Sequence, residues 1–279
     1  MDQEPRHRDD YRHRQTEAAR RVLVDVGQIL ASFSDCLVLV GGWIPDLLLP
    51  EADEPHVGSI DVDLALDARK LKEGRYAELL SLLLNTRRYQ MGTKEFQLVV
   101  DVDLKDGEKP VQVEVEFLAP KSVKLQKNKP KLLKDFRVLQ ADGCEAAFRN
   151  PHQLKLQGRN VGGAQNTVRL QVASLADFLV MKAHALAGRD KPKDTYDFCY
   201  CLQYSPGGLE SLAEEWKTRQ NEPEVAQAIE ILSEKFSAPD AFGPHQLAEF
   251  HSPSDEETQA MNARRAYEWV QEFLRRIRE

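Results

Sequence analysis

The sequence predicts a mixed α/β (α+β) fold: a mixed sheet with flanking helices over residues 1–140, then a mainly helical C-terminal region over 141–279. Three observations carry this. Between 11 and 33 the apolar residues Ala18, Ala19, Val22, Leu23, Val26, Ile29 and Leu30 recur at helical spacing. IDVDLAL (60–66), EFQLVVDVDL (95–104) and VQVEVEFL (111–118) alternate apolar and polar residues, which is the period of a strand. From Ser174 the pattern turns helical and stays mostly so to the end.

In chain order, the helix of 11–33 is followed by CLVLV (36–40), a short buried strand that ends at Gly41-Gly42. A short helix over 44–49 comes next, with Pro45 in its first turn, where a missing N–H costs nothing. PEADEPHVGS reads as a loop by its prolines, acids and glycine. IDVDLAL puts Ile60, Val62, Leu64 and Leu66 on one face and Asp61, Asp63 and Ala65 on the other. A helix follows over 68–85. The next two alternating runs are joined through Asp106-Gly107, which predicts a hairpin. HQLKLQG (152–158) and TVRLQV (167–172) form a further strand pair across Gly162-Gly163. LADFLVMKAHAL is a helix with Ser174 as its N-cap, a second begins near Asp194, and an amphipathic helix spans 254–279.

Composition narrows the function. No apolar run reaches the length of a membrane span, so no membrane partner is expected. The start of the chain, MDQEPRHRDDYRHRQ, is charged throughout and predicts no secretory leader. The four cysteines are scattered, without zinc or disulfide spacing, and read as thiols of a cytoplasmic protein. The net charge of −7 does not advertise nucleic-acid binding. Locally, however, KSVKLQKNKPKLLK (121–134) holds six lysines and no acid. That run reads as a solvated connection or as a stretch suited to a polyanion such as tRNA, and it has no aromatic residue on which a base would stack.

The chemistry starts with Asp61 and Asp63. Two carboxylates on one strand face, about 7 Å apart, repel each other and are costly to bury. Either that face meets solvent or a divalent cation neutralises it. Hard oxygen ligands of this kind suit Mg²⁺. Glu114 and Glu116 repeat the pattern on a second strand, and a third carboxylate from a neighbouring strand is what a two-metal phosphoryl-transfer site needs. Gly41 and Gly42 lie between a strand and a helix, where backbone N–H groups can approach phosphate oxygens.

The order strand, glycine pair, helix, strand with paired aspartates resembles the nucleotidyltransferase superfamily related to DNA polymerase β. The resemblance implies that Gly41 and Gly42 admit the triphosphate, that Asp61 and Asp63 hold two Mg²⁺ ions, and that Glu116 is the third carboxylate. Glu116 matches because it directly precedes the apolar Phe117-Leu118 that ends its strand; Glu114 is the alternative. The spacer between Gly42 and Asp61 is longer than the family's usual one, with the excess in PEADEPHVGS. His56 and Ser59, in that loop, read either as phosphate contacts or as ordinary polar loop residues.

VRLQVASLADFLVMKAHALAGRDKPKDTYDFCYCL looks like the C-terminal portion of the AbiEii/AbiGii-type toxins, in which an apolar helix carries a lysine and a Lys-Asp pair opens the next helix. The matching positions are Lys182, Lys193-Asp194 and Asp197, and by the resemblance this region completes the active site. Independently, a lysine on so apolar a helix needs a negative partner. For Lys182 that partner is Asp194 or Asp197 in a structural ion pair, or the triphosphate. Asp194 also reads as the N-cap of its own helix, and His184 as structural or exposed.

The resemblance implies an Mg-dependent transfer of a nucleoside monophosphate from a nucleoside triphosphate (NTP) to an acceptor hydroxyl on tRNA, a protein or a small molecule. A toxin of this kind would have an antitoxin protein as partner. The rival expectation is a non-catalytic nucleotide-binding or regulatory module on the same fold.

Overall fold

The alternating runs form the strands their period predicts, and the sheet they build positions the paired acids. In a computed structural model the chain is described over residues 5–67, 69–70, 75–122, 137–251 and 255–279. It divides into two compact units, Arg12–Ile44 with Gly58–Ser174, and Met1–Tyr11 with Pro45–Val57 and Leu175–Glu279.

The first unit holds a mixed sheet of β1 (Leu37–Val40), β2 (Asp61–Leu66), β3 (Tyr89–Met91), β4 (Gln97–Val102), β5 (Val111–Pro120), β6 (Leu139–Ala141), β7 (His152–Arg159) and β8 (Gln165–Val172). The strand order is β3-β4-β5-β2-β1-β8-β7, with β6 beside the end of β5. β4 and β5 form the expected antiparallel hairpin, as do β7 and β8. β2 runs parallel to β5 and antiparallel to β1. β1 pairs with β8 in parallel through Leu39 and Val172, so the sheet continues past residue 140, where the sequence suggested a boundary.

Helix α1 (His13–Ile29) buries Ala18, Ala19, Val22 and Leu23 completely and lies over β5, β7 and β8. Its apolar stripe is therefore what covers the sheet. α2 (Trp43–Leu48) follows the glycine pair, and of the helix expected over 68–85 residues 75–85 form α3 (Arg75–Asn85), residues 69–70 form a turn, and the others lie outside the described residues. β3 and β6 were not foreseen, because three residues are too few for a period of two to register.

The second unit carries α4 (Leu175–Gly188), α5 (Pro192–Tyr204), α6 (Gly208–Thr218), α7 (Pro223–Lys235), α8 (Phe242–His251) and α9 (Glu256–Arg278). Pro192 and Pro223 open α5 and α7, where proline's fixed φ favours a helix start. Asp255 caps α9, its carboxylate accepting from the Thr258 N–H at 2.8 Å. The core centres on Trp216, which meets Phe198 and Phe273 edge to face with centroids 6.4 and 5.1 Å away. Its indole N–H donates to the Ala176 carbonyl at 3.1 Å, so the buried polar atom is satisfied. All four cysteines are buried free thiols.

Candidate active site

In the sheet unit, Asp61 and Asp63 occupy alternate positions of β2 and so share a face. The parallel register sets Asp61 beside Glu114 and Asp63 beside Glu116, which puts four carboxylates on that face, with neighbouring strands about 4.8 Å apart. All four residues are only half-buried. At such spacing two like charges repel by about 3 kcal/mol in a partly screened protein environment, and the strands sustain this because backbone pairing fixes the register. Residues nearby position the carboxylates. The Ser59 hydroxyl donates to Asp61 Oδ1 at 2.5 Å, and the Trp43 indole N–H donates to the Asp61 carbonyl at 2.8 Å. Glu116 Oε1 accepts from Gln97 Nε2 at 3.2 Å and from Lys94 Nζ at 3.4 Å.

Gly41 ends β1 at φ +74°, a conformation that L side chains rarely adopt. A Cβ built there would fall 2.0 Å from Asp63 Oδ2. Two separate constraints thus require glycine, and the second exists because the Asp63 carboxylate lies against this turn. Gly42 is buried and leads directly into α2. Gly41, Ser59, Asp61, Asp63 and Glu116 are therefore joined by strand pairing or direct contact, and Gly42 adjoins them.

Among the described residues no three carboxylate, imidazole or thiol groups are already gathered round one point. The in-register acids still fit a divalent cation of the Mg²⁺ type, which takes one or two protein carboxylates and completes its shell with phosphate and water oxygens.

Lys182, Lys193 and Asp197 fall in the helical unit, in a buried network. Lys182 Nζ lies 2.7 Å from both Asp194 Oδ1 and Asp197 Oδ2. Lys193 Nζ donates to Asp197 Oδ1 at 2.7 Å, and the Arg189 guanidinium meets Asp194 through two bonds of 2.7 and 2.9 Å. Of the partners weighed for Lys182, the two aspartates are the ones seen. Burial alone would raise the Asp197 carboxyl, but Lys182, Lys193 and the His56 hydrogen bond outweigh it and hold it far below the usual carboxylate range. Asp194 is likewise held low against its burial by Lys182 and Arg189. Lys182 is raised because its two aspartates overcome the desolvation that would lower it.

Two single-residue readings are corrected. Asp194 is not an N-cap: Lys191 holds that position without a side-chain bond, and Asp194 is drawn inward by its cations. His56 is not an ordinary polar loop residue: its side chain is fully enclosed, with Nε2 3.0 Å from Asp197 Oδ1. Burial, with Lys193 nearby, pushes this imidazole down to about 4, so at neutral pH it is uncharged and donates Nε2–H to the carboxylate. Its loop position gave no sequence signal for this. His184 is buried on α4, with Nε2 2.9 Å from the Glu224 carbonyl. Gln97 and Lys94, which hold Glu116, were also missed; Gln97 stands opposite Glu116 in the β4–β5 register, a neighbour relation that the hairpin alone did not fix.

A search of curated proteins finds no relative. Among solved structures the chain is similar to an antigenic nucleotidyltransferase-like protein from Paracoccidioides brasiliensis, with 17% identity, TM-score 0.42, and 79% of this chain and 89% of that one covered. It is also similar to the nucleotidyltransferase toxin MenT4 from Mycobacterium tuberculosis, with 15% identity, TM-score 0.42, and 97% and 92% covered. The model of a protein family described as nucleotidyl transferase AbiEii toxin, type IV toxin–antitoxin system, matches residues 26–274, which take in both the β2–β5 carboxylates and the α4–α5 network. The chain therefore belongs to the AbiEii nucleotidyl transferase toxin family and is a nucleotidyltransferase.

Proposed function

We propose that the protein transfers a nucleoside monophosphate from an NTP to an acceptor hydroxyl at the β2–β5 carboxylate face. The observation that carries this is the register pairing Asp61 with Glu114 and Asp63 with Glu116, with the Gly41 turn against Asp63. Asp61 and Asp63 would hold Mg²⁺; bound there, the cation polarises the α-phosphate and offsets the charge of leaving pyrophosphate. Ser59 and Trp43 fix Asp61 before substrate arrives, so little reorganisation is left for the reaction. Gly41 and Gly42 leave the turn bare for phosphate oxygens. Glu116, oriented by Gln97, accepts the proton of the acceptor hydroxyl as its oxygen bonds to the α-phosphorus and the bond to pyrophosphate breaks. Lys182, Lys193 and Asp197 are proposed to be required as well.

We take tRNA as the acceptor to test first. The lysine-rich 121–134 stretch supports an RNA; apart from Lys121 and Ser122 it lies outside the described residues. The type IV family supports an antitoxin partner, and a cytoplasmic setting suits both. Among the described residues no helix is long and apolar enough to cross a membrane.

The deciding assay incubates the protein with Mg²⁺, each α-labelled NTP in turn, and separate pools of tRNA, total protein and aminoglycosides. Label moving into one pool with the wild type, and not with the Asp61→Ala/Asp63→Ala variant, is the expected result. Normal transfer by that variant would overturn the site assignment, and label in the protein or aminoglycoside pool would overturn the tRNA reading.

A further inference from the structure

A cavity of about 420 Å³ opens within the helical unit, lined by residues of α5, α8 and α9. None of the carboxylates or lysines assigned to the transfer reaction lines it. One wall is a fixed aromatic cluster. The Tyr200 hydroxyl donates to the Glu54 carbonyl at 2.6 Å, the Tyr204 ring lies 4.6 Å from that of Tyr200, and the His251 ring stands edge-on to its neighbour Phe250. The acid of this wall, Glu54, is already offset by Arg8 at 2.5 Å.

The other wall is α9, where Asn262, Arg265 and Trp269 fall at i, i+3 and i+7 and so share one face. Among the described residues none of the three makes a hydrogen bond, ion pair or ring contact. Other arginines of the same helix are committed: Arg264 pairs with Glu268, Arg275 with Glu272, and Arg276 with Glu210. An amide, a guanidinium and a half-buried indole facing a tyrosine wall across a ligand-sized cavity make a specific demand. The indole and tyrosines suit a planar π-system, the amide suits the hydrogen-bonding edge of such a ring, and the guanidinium suits an anion beside it. A saturated sugar phosphate would leave the rings unused, and a purely apolar ligand would make no use of the amide or the exposed guanidinium.

We propose that this cavity is a second nucleotide-binding site, taking a nucleobase against Trp269 and the tyrosines and its phosphate at Arg265. The same chemistry comes from two sources, a free nucleoside phosphate or an unpaired terminal nucleotide of a single-stranded RNA.

The test uses the full chain carrying Asp61→Asn and Asp63→Asn, in chelator, so that metal-dependent binding at the sheet face is removed. Calorimetric titrations with AMP, GMP, CMP, UMP and a single-stranded tetranucleotide RNA read binding without turnover. The result is thus separate from success or failure of the transfer assay. Saturation by at least one probe in the millimolar range or tighter is expected, weakened about tenfold by Trp269→Ala. Arg265→Gln should weaken the nucleotide and leave the matching nucleoside unchanged, and Asn262→Leu serves as a third probe if Trp269→Ala fails to fold. Mononucleotides binding as well as the tetranucleotide name the free nucleotide as ligand; a much tighter tetranucleotide names the strand end. No saturation by any probe, or saturation that the α9 variants leave untouched, overturns the proposal.

Discussion

The two charged regions solve the problem of placing carboxylates in opposite ways. On the sheet, Asp61, Asp63, Glu114 and Glu116 stand side by side with one sign, and their face is kept half-exposed. Between α4 and α5, Asp194 and Asp197 are entirely buried, yet signs alternate: Lys182 touches both, Lys193 touches Asp197 and Arg189 touches Asp194. Alternating charge can be buried because each group replaces the water its neighbour lost. Like charges in register repel, and their face stays partly open to solvent, which screens them. The difference is one of arrangement: acids side by side on a half-exposed face in one region, acids alternating with bases in a closed core in the other.

The largest expected contrast breaks each region once. Asp61→Ala should lower transfer on the order of a thousandfold or more while the thermal midpoint stays level or rises, since a repulsion is relieved. Asp197→Ala takes the shared carboxylate from the buried Lys193 and leaves Lys182 with Asp194 alone, and should cost about 3–5 kcal/mol in chemical denaturation. If Asp61→Ala destabilises and Asp197→Ala does not, the comparison is reversed.

Acid should act on the helical unit through His56. Its folded value of about 4 lies below the 6.5 of an unperturbed imidazole, so the unfolded chain binds the extra proton first. The stabilisation is complete above pH 6.5 and is lost as pH falls towards 4, by about 3 kcal/mol. Denaturant midpoints across that window should slope in the wild type and flatten in His56→Gln, which keeps a donor for Asp197 without a titration. Equal slopes would remove His56 from the network's acid response.

The smallest effect sharpens the sheet side. Gly41→Ala forces a strained φ and displaces the Asp63 carboxylate, and should slow transfer on the order of thirtyfold. Binding of the isolated NTP, measured in parallel, should weaken much less. An unchanged rate would mean that the close approach of the Gly41 turn to Asp63 is incidental.

Much of the sheet side was legible in the chain itself. A strand's period of two assigns Asp61 and Asp63 to one face and Glu114 and Glu116 to another strand's face, and glycines before a helix mark a bare turn. What was not legible was the neighbour relation. β2 and β5 pair in parallel although β3, β4 and α3 intervene in sequence, and no local signal announces a crossover. On the helical side, the resemblance singled out Lys182, Asp194 and Asp197, but the lysine's partner stayed open between the aspartates and the triphosphate. His56 was invisible as a network member because its partner Asp197 lies in a distant segment of the chain, and Arg189, five residues before Asp194, carried no pattern that singled it out.

The sequence by itself determined which residues carry charge, which face of each strand or helix they take, and which family the chain resembles. These follow from local periodicity and from motif order. Only the tertiary structure decided that Glu116 stands beside Asp63, that Gly41 packs against its carboxylate, that both aspartates of α5 are neutralised from within, and that Asn262, Arg265 and Trp269 of α9 line one wall of a cavity. The physical reason is that electrostatic partnership depends on distance through space, and the chain fixes that distance only once its non-local pairings and packed faces have formed.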